Sequence, residues 1–217
     1  MAAMLFSGSC KSTNSINQFA KSASAGISEI SSPIAEPAIQ SMKNGQINKQ
    51  ADSLSKLVWH TLINYFRLLR TDNDRKLLAD TAKDLMNTLD LIQTGTFRYH
   101  NISDETLTAA RSILNTILNE HIKSHRYRQL IKIMKENDSA ISLLINQGNA
   151  ILDSAAVNFK MQTSKNILKL VRKDHYMLIF GRPPIGFAFT SQEISQDIVL
   201  INKMTANLRS VHSDANE

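Results

Sequence analysis

From Leu54 onward the apolar residues of this chain return every three or four positions, and that period limits what the chain can fold into. Leu54, Leu57, Val58, Leu62, Tyr65, Phe66 and Leu69 share one stripe and predict a helix over 48–70. Thr71-Asp72-Asn73-Asp74 supplies a turn and a capping side chain. Leu78, Ala82, Leu85, Leu89 and Ile92 predict a second helix over 74–93, with Gly95 past its end. Ser103, followed by Asp104 and Glu105, opens a third through Leu107, Leu114 and Ile122. It either runs on or breaks near Ser124, towards Leu130 and Met134. Glu136-Asn137-Asp138-Ser139 reads as a boundary, and a further helix reads from Ile141 to Phe159. A basic segment with Ile167, Leu168 and Val171 follows.

Tyr176 to Phe180 is an apolar run where the period stops. Gly181-Arg182-Pro183-Pro184-Ile185-Gly186-Phe187-Ala188-Phe189 is not regular helix, since prolines and glycines punctuate it. Thr190 and Glu193 form a capping box for a last helix through Ile194, Ile198, Ile201 and Leu208. Elsewhere turn residues are scarce: seven glycines and four prolines in 217 residues suit long elements rather than β-turns. No repeat of 20–50 residues and no sustained heptad occurs. The fold expected is all-α, a helical bundle or irregular array of five to seven helices with a disordered N-terminal tail. The expected organisation is a flexible Ser/Asn-rich tail over 1–47, a helical domain over 48–212 and a polar tail over 213–217.

The tail reading rests on composition. Seven serines fall in the first 28 residues, and the first acidic residue is Glu29. Residues 2–6 are too short for the apolar core of a secretory signal. No arginine precedes Arg67, which argues against a mitochondrial transit peptide. In composition the leader resembles the uncleaved leaders of bacterial type III secretion substrates, over about 28 residues. That resemblance implies a secreted effector or secretion accessory, exported by a route other than the general signal-peptide pathway. Ser7-Gly8-Ser9-Cys10 also resembles a bacterial lipoprotein box, without the usual leucine, and would imply a membrane tether acylated at Cys10.

Motifs that carry chemistry are scarce in this chain. There is no glycine-rich phosphate loop and no Gly-x-Ser-x-Gly elbow. Cys10, the single cysteine, lies in the tail. His121 and His125 share a helix face but lack further ligands nearby, so no metal and no cofactor are expected. No enzymatic activity is expected. No apolar run reaches the ~20 residues that span a bilayer.

Two surfaces remain as candidates. Ile185, Phe187 and Phe189, with Arg182, either plug the core or present a patch to a protein partner. Lys123, Arg126, Arg128 and Lys132, then Lys165, Lys169 and Arg172, form basic stripes. With a net charge of +6 they suit nucleic acid or an anionic membrane surface, or they are ordinary solvated helix faces. Trp59, the only tryptophan, sits at core spacing. The function expected is a non-enzymatic helical protein-interaction protein, with nucleic-acid binding as the alternative.

Overall fold

The computed structural model describes residues 7–31, 45–94, 103–119, 127–154, 158–180 and 191–214. Among the described residues the chain forms seven helices and no strand. They are α1 Ser7–Ser31, α2 Gly45–Leu68, α3 Arg75–Gln93, α4 Asp104–Asn119, α5 Tyr127–Ser154, α6 Asn158–Phe180 and α7 Ser191–Asp214. The all-α class and the helical bundle follow directly.

Each helix packs on the next in sequence, and α7 returns to α1, so the ring closes. Antiparallel neighbours are fixed by pairs such as Asn17–Thr71, Asp90–Arg111 and Asp138–Arg172. Between α1 and α7 the sense is parallel, because Gly26 meets Ile201 and Thr205 while Glu29 meets Arg209. α2 also reaches α4 and α5, and α1 reaches α5 and α6, which fills the centre.

Local chemistry sets several ends. Asp74 Oδ1 accepts the amide of Leu77 at 3.1 Å and caps α3. Ser103 Oγ accepts the amide of Thr106 at 3.2 Å and starts α4. α7 begins at Ser191 with Glu193 in its first turn. Thr190, Gly95 and residues 181–189 lie outside the described residues.

Three expectations need correction. The tail over 1–47 contains α1, which is not loose chain: Ile16, Phe19, Ala20, Ala23, Ile27 and Ile30 are buried in the common core. These six return at intervals of one to four residues along one face, and the serines between them are short enough to let neighbours close in. Residues 1–6 and 32–44 of that tail lie outside the described residues, and 45–47 belong to α2. Second, Glu136 to Ser139 is no boundary but the interior of α5. Asn137 Nδ2 donates to the Ile133 carbonyl at 2.9 Å, and its Oδ1 accepts from Thr116 of α4 at 3.2 Å, so a buried polar residue is satisfied partly within α5 and partly by its neighbour. Third, Tyr176 to Phe180 completes α6 instead of breaking it.

The core is one contiguous cluster drawn from all seven helices. Phe19, Tyr65 and Phe66 meet edge to face, Phe19–Phe66 at 5.6 Å and Tyr65–Phe66 at 5.2 Å between ring centroids. Trp59 is 1% exposed, and its ring lies against Gly148 of α5.

Candidate functional site

Where α2, α5 and α6 converge, the core turns polar. Tyr65 from α2 directs its hydroxyl at His175 Nε2 across 2.8 Å. On the far side of the ring, His175 Nδ1 meets Asp138 Oδ1 of α5 at 3.1 Å. Arg172, one turn before His175 on α6, donates from Nη1 and Nη2 to the two oxygens of Asp138 at 2.6 and 3.2 Å. Its Nε donates to Ser142 Oγ at 3.0 Å. The consistent assignment has Tyr65 donating to Nε2 and Nδ1–H donating to the carboxylate, with a neutral ring between them.

The electrostatics follow from depth. Burial raises Tyr65 well above its ordinary value, with the nearby negative Asp138 adding to that. Burial alone would raise Asp138, but hydrogen bonds from His175 and Arg172 outweigh it and hold the carboxyl at about 2. Burial lowers His175, against the pull of Asp138. A Tyr–His–Asp chain resembles a proton relay on paper. Tyr65 and His175 are both 0% exposed among the described residues. The arrangement ties three helices together, and its open end is the Asp138–Arg172 pair.

That open end continues along α6. The Arg172 guanidinium stands over the Tyr176 ring, 5.8 Å from its centroid. Tyr176 in turn stacks on Phe180 at 4.5 Å between centroids, and Phe180 is half-exposed. Arginine, tyrosine and phenylalanine at four-residue spacing therefore form a ladder up the last turns of α6, half-buried at Arg172 and Tyr176 and exposed at Phe180. On α7, Val199 and Leu200 are exposed apolar side chains.

The expected site residues separate into three groups. Arg182, Ile185, Phe187, Phe189, Lys123 and Arg126 lie outside the described residues, as do His121 and His125. Cys10 falls within α1, but its side chain is likewise outside them. Of the rest, Arg172 is committed to Asp138 and Lys165 pairs with Asp153. Arg128 and Lys132 are exposed on α5, one turn apart, with Lys135 on the same side. Lys132 pairs with Glu136 at 3.7 Å, and both ends are well exposed. Lys169 is exposed on α6.

The sequence reading missed Tyr65, Asp138 and His175 as a set. The available signal was Asp138 and Ser142 four residues apart on α5, facing Arg172 and His175 three residues apart on α6. Among the described residues no group of three or more His, Cys, Asp or Glu side chains is placed to hold a metal ion. Among them, too, no helix is long and apolar enough to cross a membrane. Comparison of the chain with protein-family models, curated proteins and solved structures gives no match.

Proposed function

We propose that this chain is a non-enzymatic interaction protein that captures a protein partner at the end of α6. The reading is supported by one observation above others: the Arg172–Tyr176–Phe180 ladder leaves an aromatic side chain half-exposed at the edge of a well-packed bundle. Aromatic and arginine side chains on a rigid element are the usual anchors of protein interfaces. The chain then runs from Phe180 directly into Arg182, Ile185, Phe187 and Phe189. The ladder is held from below by Asp138, so its arginine is already oriented before any partner arrives.

The test is affinity capture from the native source with the full chain, Phe180→Ser and Phe187→Ala, each with and without nuclease. Wild type should retain a defined set of proteins after nuclease, and both variants should lose it while melting within a few degrees of wild type. Variants that melt normally and capture the same set would remove this surface from the proposal.

The second reading, binding to nucleic acid, draws on the exposed Arg128, Lys132 and Lys135 of α5. Its share of the charge is smaller than the sequence suggests, because Arg172 and Lys165 already neutralise carboxylates of the chain. It expects RNA or DNA affinity that falls steeply with salt, and a shallower salt slope in the Arg128→Gln, Lys132→Gln double variant. Absence of binding at low salt would remove it.

A further inference from the structure

Asp174 and His175 are adjacent on α6 and both fully buried, yet they serve different interfaces. His175 faces α2 and α5, whereas Asp174 stands at the α6–α7 interface, where its neighbour Lys173 reaches Asp197 of α7 and the Asp197 carboxyl acts on Asp174. Neither oxygen of Asp174 finds a nitrogen or hydroxyl partner, and Oδ2 of Asp197 also lacks a well-aligned donor. Lys173 forms an ion pair with Asp197, so the cation next to Asp174 in sequence reaches the other carboxylate. Two carboxylates in this position cannot both be charged at tolerable cost. One proton between them resolves the geometry: Asp174 donates it and the Asp197 carboxylate accepts.

The seat of α7 makes this proton matter. α7 packs on α1 and α6, and its buried apolar side chains among the described residues are Ile198, Ile201 and Leu208. Arg209 pairs with Glu29 at 2.6 Å, but the arginine is largely exposed and the pair is weak. We propose that α7 is a latch helix, locked on α6 by one proton shared between Asp174 and Asp197, and that loss of this proton frees α7 while the remaining helices stay packed.

Burial pushes Asp174 up to about 9, with the hydrogen bond and the charge of Asp197 adding to that and Lys173 opposing it. Those are the charged groups acting on it; among the described residues α1, α2 and α5, which also meet α6, contribute none. An exposed aspartate ionises near 3.8. Between these values the latched state holds a proton that the released state has lost. The stability this proton gives is therefore complete below the lower value and drains as pH rises towards the upper one.

Hydrogen exchange on the full chain from pH 6 to 9 tests the latch, with rates corrected for intrinsic base catalysis. In wild type the opening constant of α7 amides should rise roughly tenfold per pH unit. Amides of α3 and α4 should stay protected, with a much smaller opening constant. In Asp174→Asn, which keeps a donor to Asp197 without an ionisable group, the α7 slope should vanish. Should that variant not fold, the carboxyl carbons of wild type give a second readout by NMR, and the Asp174 resonance should report a protonated acid at pH 6. A flat wild-type profile, equal opening of α7 and α3, or an Asp174 already ionised at pH 6 would each overturn the proposal.

Discussion

At the scale of single residues, the decisive feature is a buried histidine used as a neutral joint. His175 accepts on one nitrogen and donates on the other, so each of its neighbours is needed to satisfy it. Replacing Tyr65 with Phe keeps the ring and its edge-to-face contact with Phe66, but leaves Nε2 without a donor. The expected cost is about 1–3 kcal/mol, because a buried acceptor loses its partner without regaining water. Urea denaturation with Trp59 fluorescence measures it, and a Tyr65→Phe midpoint equal to wild type would mean the hydroxyl contributes nothing. Gly148 makes a different demand. A Cβ there would stand 2.6 Å from the buried Trp59 ring, so the ring or the helix must shift to admit it. Gly148→Ala should destabilise the fold, since overpacking costs about 1–3 kcal/mol and the helical gain of alanine over glycine returns only about 1. A blue- or red-shifted Trp59 emission should accompany the lower denaturation midpoint.

At the scale of elements, α1 is where the reading of the sequence and the structure part. Its serine-rich face suggests unfolded chain, yet Asn17 accepts from the amide and hydroxyl of Thr71 at 3.0 and 3.2 Å. Lys21 reaches Asp72 at 3.1 Å, and Glu29 holds Arg209. The helix thus meets the α2–α3 turn near its middle and α7 towards its C-terminal end. Small residues explain both its obscurity and its fit. A Cβ on Gly26 would lie 3.0 Å from Ile167 and 3.3 Å from Thr205, so α1 approaches α6 and α7 closely. Phe19→Ala should cost about 3–5 kcal/mol, the loss expected for an aromatic ring at the centre of a core. If α1 were dispensable, that variant would unfold at the wild-type denaturant concentration. By contrast α3 and α4 were legible, because Asp74 and Ser103 cap helices whose apolar stripes begin within the next turn.

At the scale of the whole molecule, the groups buried along α5 and α6 make stability depend on pH in both directions. On the acid side, Asp138 and His175 are both held below their free values. Asp138 contributes stability that is present above 3.8 and is lost as pH falls towards about 2. The contribution of neutral His175 is complete above 6.5 and is lost as pH falls through its lower folded value. Asp174 has the opposite sign and loses stability as pH rises from 3.8 to about 9. The histidine and Asp174 slopes oppose each other just below 6.5, so urea midpoints should be nearly flat there, fall above it, and fall again in strong acid. Asp174→Asn should remove the fall above 6.5 and leave the acid limb intact; an unchanged alkaline limb would show that another group governs it.

By itself the sequence determined the class of fold and most helix positions from Gly45 onward, because period and capping are local and are written in neighbouring residues. It also showed that the cations are many, but not which are spent. Only the tertiary structure decided that Arg172 and Lys165 answer carboxylates on α5, that Asp138 lies mid-helix, and that α1 belongs to the core. Those outcomes depend on which helices meet. A short apolar stripe set among serines becomes a core face only when close-packed neighbours cover it, and a charge is solvated or buried according to what stands opposite.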